Sequence, residues 1–85
     1  MFDSLNRLRD FLYDNNYTQE ALCISDAITE YEKNGFLSEF SIKKIKAMCT
    51  PKYLGNLYIK EFQDPYEWWN FLAEIKNSID IVYNL

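Results

Sequence analysis

Apolar residues recur along this chain at helical spacing. Leu5, Leu8 and Leu12 fall at i, i+3 and i+7 with Phe11 beside them, which predicts a helix over about residues 3–13. "DNNY", residues 14–17, is built from residues that favour turns. Thr18 then has the chemistry of an N-cap, its hydroxyl placed to accept from the free N–H groups of a second helix, 18–34. Ala21, Ile24, Ala27, Ile28 and Tyr31 share one face of that helix, and Gly35 suits the left-handed residue just past its end. A third helix, 39–48, begins under a weaker cap, because Ser38 is followed three residues later by Ser41 rather than Glu. Its stripe is Ile42, Ile45, Met48 and Cys49. Pro51 and Gly55 interrupt residues 50–62, where "LYI" (57–59) fits either a short extended piece or one helical turn. Asp64, Pro65 and Glu67 then reproduce a capping-box start for a last helix, 65–83. Trp68, Leu72, Ile75, Ile79 and Val82 form its stripe, with Phe71 at the border. The expected fold is all-α: one domain, residues 1–85, a compact bundle of about four helices with an irregular 50–62 connection lying across it.

The same wheel separates two adjacent tryptophans in "DPYEWWNFL", since helical neighbours point about 100° apart. Trp68 joins the core stripe. Trp69 falls on the flank with Lys76 and Asp80. There it either packs under the connection, against Tyr53 or Tyr58, or stands partly exposed as an aromatic anchor of the kind enriched at interface hot spots.

Composition narrows the class. Hydrophobic residues make up 48% of the chain and aromatics 18%, with only two glycines and two prolines, which excludes a disordered segment. No apolar run approaches the roughly 20 residues needed to span a bilayer, so no membrane partner is expected. The start, "MFDSLNRLRDF", lacks the cationic and apolar blocks of a secretory signal. Cys23 and Cys49 are accordingly expected as reduced thiols in a cytoplasmic protein.

Charge is unevenly distributed within a net −4. Eight acids against three bases give residues 1–42 a net −5, five lysines and no acid give 43–60 a net +5, and five acids against Lys76 give 61–85 a net −4. An acidic body with one basic segment argues against nucleic acid as the partner and for a basic protein. Lys43, Lys44 and Lys46 lack interleaved aromatics, so a solvated face or an internal complement to the acidic helices accounts for them.

Catalytic signatures are missing. The chain has no histidine, which removes the commonest general base and metal ligand. The cysteines are 26 residues apart without a CxxC pair, and two isolated glycines cannot build a phosphate loop. No catalytic residue, metal or cofactor is expected, and the chain reads as a binding protein rather than an enzyme. Asp10 with Asp14, and Asp26 with Glu30, stand at i, i+4, where like charges cost a few tenths of a kcal/mol per pair. Two accounts fit. Arg7, reaching Asp3 and Asp10, and Lys33, reaching Glu30, offset that cost on an ordinary solvated surface. Alternatively, the carboxylates form an acidic face that meets a basic partner.

Residues 48–72, "MCTPKYLGNLYIKEFQDPYEWWNFL", resemble members of a loose group of small helical bacterial immunity proteins that accompany contact-dependent inhibition and other polymorphic toxins. The likeness rests mainly on "PKYLGNLYI" followed by "PYEWWNFL". It implies a cytoplasmic monomer that binds a cognate toxin domain, often a nuclease, one to one, and covers its active site or substrate groove. It transfers no contact residues. On charge and aromatic character alone, Asp10, Asp14, Asp26, Glu30, Tyr66 and Trp69 are the expected partner-binding residues. A helical adaptor unrelated to toxins is the competing expectation, using the same acidic surface.

Overall fold

A computed structural model describes residues 2–84. In chain order it contains α1 (Phe2–Asp14), α2 (Thr18–Asn34), α3 (Glu39–Met48), a single 3₁₀ turn at Leu54–Asn56, and α4 (Pro65–Tyr83). Among the described residues there is no strand, and no helix is long and apolar enough to cross a membrane. The all-α four-helix bundle expected from periodicity is the fold. Its radius of gyration, 12.1 Å, equals the roughly 12 Å expected of a folded 85-residue domain.

Each stripe buries as its spacing dictates. Leu5, Leu8 and Leu12 of α1 meet Ala21, Ile24 and Ile28 of α2 across a tight helical hairpin, and Leu72, Ile75 and Ile79 of α4 close the core from the other side. Among the described residues no polar or charged residue is buried. The α1–α2 turn uses Asn16 in the left-handed region (φ 69°), a conformation asparagine tolerates, and Tyr17 N–H donates back to the Leu12 carbonyl at 2.8 Å. Gly35 closes α2 with φ 79° while its N–H donates to Tyr31.

Two expectations are corrected. Thr18 is not the N-cap of α2: Tyr17 holds that position without a side-chain cap, because the turn closes one residue earlier and makes Thr18 the first helical residue. Val82 is not core but 56% exposed; the stripe continues from Ile79 to Tyr83, whose hydroxyl accepts from Leu37 N–H at 2.8 Å. Of the two alternatives for "LYI", the helical turn is excluded, for the 3₁₀ turn lies just before it and Leu57 is extended without joining a strand.

The connection is fastened at both ends by side chains. Asn15 Nδ2 donates to the Phe11 carbonyl and to Glu61 Oε1, and its Oδ1 accepts from Lys60 N–H at 2.9 Å. Tyr17 hydroxyl accepts from Tyr58 N–H. At the other end, the buried Trp68 donates its indole N–H to the Leu54 carbonyl at 2.8 Å, and Trp69 donates to the next carbonyl, Gly55, at 2.9 Å. Successive carbonyls of a 3₁₀ turn diverge, so two indoles about 100° apart each find one. Gly55 permits the approach: a Cβ there would stand 2.9 Å from Trp69 Nε1 and 3.0 Å from the Thr50 carbonyl.

Candidate functional site

Residues of α2 and α3 line a groove of about 220 Å³. Ala27, Ile45 and Met48 are its apolar floor, and Cys23 lies on the α2 wall. Asp26, Glu30, Phe40, Ser41 and Lys44 complete the lining. The groove exists because α3 is short and its stripe is narrow, so the helix touches the core along one edge only. Phe40 stands at the rim of the groove, off the buried stripe of α3, and is 73% exposed. Lys44 Nζ lies over that ring, 5.9 Å from its centroid. Leu22, one turn before Asp26 on α2, is 48% exposed.

Glu30 has a definite local task. Its Oε1 accepts from Ser38 N–H at 2.8 Å, while Ser38 Oγ accepts from Ser41 N–H at 3.2 Å. A capping box needs a carboxylate to accept the N-cap N–H; α3 carries Ser41 at that third position, and Glu30 supplies the missing group from α2. The Ser38 backbone N–H, with help from the Ser41 and Ser38 hydroxyls and against a desolvation cost, holds the Glu30 carboxyl below its ordinary range. Asp26, one turn earlier, is exposed and makes no hydrogen bond or ion pair among the described residues.

The other expected site residues are dispersed. Asp10 is held by Arg9 Nε at 3.2 Å, and Arg7 spreads its guanidinium over Phe11 and Phe71 instead of reaching the acids. Asp14 ends α1, where its backbone carbonyl accepts from Lys60 Nζ. Neither α1 acid lines the groove, which gathers only Asp26 and Glu30 of the six. Trp69 is half-buried and tied to Gly55, not to Tyr53 or Tyr58; Tyr66 is 67% exposed and sets its ring edge-on to Trp69 at 5.3 Å. Phe40 and Leu22 were not anticipated. The available signal for Phe40 was a large aromatic on the lysine face of α3, off the Ile42–Ile45–Met48 stripe.

The lysines of the basic segment are largely occupied. Lys43 pairs with Glu39 at 3.1 Å, Lys46 with Asp80 at 2.6 Å, and Lys60 and Lys44 have the partners given above. A second, wider groove between α3 and α4, about 440 Å³, is bounded by those same ion pairs with Ile42 and Tyr83, so its charges are already neutralised. Cys23 and Cys49 are free thiols, and burial pushes Cys49 up to about 12, which keeps it protonated and unreactive at neutral pH. Among the described residues no cluster of three or more His, Cys, Asp or Glu side chains could hold a metal ion. No known family model, curated protein or solved structure matches the chain.

Proposed function

We propose that this chain is an immunity protein: a cytoplasmic monomer that binds a cognate toxin domain of basic, nuclease type one to one and neutralises it by covering its active site or substrate groove. The observation that carries the reading is the pairing of Asp26, a carboxylate without a protein partner, with the open Phe40 ring on one face of α2 and α3. A phosphate-binding groove presents cations, and an acidic surface with an aromatic anchor is complementary to it in charge and in desolvation. Asp10 and Asp14 add to the negative field that steers such a partner. The resemblance of residues 48–72 to immunity proteins points the same way. The local pairing of Lys43, Lys46 and Lys60 speaks against nucleic acid as the partner.

The test is titration of the toxin domain encoded beside this chain's gene. Toxin activity falls to background at equimolar protein, and the affinity weakens as salt rises. Full toxin activity at that ratio contradicts the proposal. The exposed apolar side chains of Leu22 on α2 and Phe40 on α3 favour one other reading, a helical adaptor whose partner is apolar rather than basic. Binding that is indifferent to salt, with no toxin gene adjacent, is its signature.

A further inference from the structure

We propose that the α2–α3 groove is a seat for one arginine side chain of the partner. This deepens the reading of that face as the binding surface and rests on it. A floor of Ala27, Ile45 and Met48 with a carboxylate at the mouth suits a side chain that has an aliphatic stem and a cationic head. Asp26 has both oxygens available to the head, because no residue among those described engages them. Glu30 commits Oε1 to the Ser38 N–H and adds its negative charge from one turn away. Phe40 supplies a flat, open ring at the rim.

The ring is placed to take a cation, for Lys44 Nζ lies 5.9 Å from its centroid, within cation–π range. Lys44 is on the exposed side of α3 and swings into solvent at little cost when a better ligand arrives. Guanidinium is the better ligand. It is planar, so it stacks on Phe40, and its forked N–H groups bind a carboxylate through two parallel bonds, which an ammonium cannot do. The α3–α4 groove shows the contrast: there the carboxylates Glu39 and Asp80 are taken by Lys43 and Lys46.

The experiment needs no toxin. The ¹⁵N-labelled protein is titrated with acetyl-Ala-Arg-Ala-amide, and in parallel with the lysine and citrulline analogues, following amide chemical shifts. The arginine peptide is expected to bind in the millimolar range, with shifts concentrated at Asp26, Ala27, Phe40, Ser41 and Lys44. Citrulline keeps the shape and loses the charge, and binds about tenfold more weakly; lysine falls between. Asp26→Asn weakens arginine binding about tenfold with the spectrum otherwise intact. Lys44→Ala tightens it a few-fold, and Lys43→Ala, whose lysine pairs with Glu39 outside the groove, leaves it unchanged. Equal binding of the citrulline peptide, shifts spread over the whole acidic surface, or no binding overturns the seat. Such a failure leaves toxin neutralisation to its own assay, and a failure of neutralisation leaves this titration standing.

Discussion

Two ends of this molecule treat aromatic side chains in opposite ways. At the α4 end, Phe11, Phe62, Trp68 and Phe71 form one interlocked cluster with ring centroids 5.2–6.4 Å apart, capped by the Arg7 guanidinium. Both indole N–H groups there are spent on backbone carbonyls of the 3₁₀ turn. At the α2–α3 face, Phe40 touches its own helix's Lys44 and otherwise meets solvent, next to a carboxylate with no partner. The clustered rings and both indoles of the first end are thus committed to the core and the connection, with Tyr58 and Tyr66 left exposed outside them. At the second end an open ring stands on the same groove as an unengaged carboxylate. An aromatic residue signals function only where its polar atoms and its faces are left over after folding.

Trp68→Ala breaks the first half of this contrast most severely. It removes a buried ring and orphans the Leu54 carbonyl, and is expected to cost about 3–5 kcal/mol in urea unfolding. Gly55→Ala comes next, at about 1–3 kcal/mol, because the new Cβ is pressed between Trp69 and the Thr50 backbone. Trp69→Phe keeps most of the ring and loses one hydrogen bond, about 1 kcal/mol by the same measurement. Phe40→Ala completes the ranking: stability within about 0.5 kcal/mol of wild type, yet toxin binding weakened at least about tenfold. A Phe40→Ala protein that unfolds as readily as the Gly55 variant would erase the distinction between the two ends.

Glu30 sits on the boundary between those roles, and pH reveals its structural share. Its folded pKa lies below the ordinary value of 4.5, so the stability it confers is fully present above that value. That contribution is lost as pH falls through the lowered folded value. The stability gap between wild type and Glu30→Gln is therefore expected to be constant near neutrality and to close in acid, by thermal melts across pH. A gap that stays constant into acid would mean that the carboxylate charge does not hold the start of α3.

Much of the bundle was legible because helix stripes and caps are local. Leu5–Leu8–Leu12, the Asp64–Pro65 start and Gly35 each specify their element within one or two turns, and the observed bounds follow them. What local reading left open depends on distant partners. Trp69 packs under the connection, one of its two expected places, but its partner there, Gly55, is set by a 3₁₀ turn that forms 14 residues away. The capping of α3 was incomplete from its own sequence because the carboxylate comes from α2. Val82 was assigned to the core by spacing that holds along the helix, but the elements covering that face end before it, and Tyr83 turns inward to meet Leu37 instead. The acids Asp10, Asp14, Asp26 and Glu30 were visible as a group; which of them share a surface depends on how α3 leans on α2, and only the last two do.

The most direct test of the central claim compares the two ends as binding surfaces in one assay. The proposed partner, a toxin domain encoded beside the gene, is titrated by calorimetry with wild type, with Asp26→Asn/Phe40→Ala, and with Tyr66→Ala. Tight, salt-sensitive binding by wild type and by Tyr66→Ala, and binding at least about a hundredfold weaker for the α2–α3 double variant, is the predicted result. Undiminished affinity in the double variant, or loss of binding in Tyr66→Ala instead, would place the interface at the aromatic end and contradict the account.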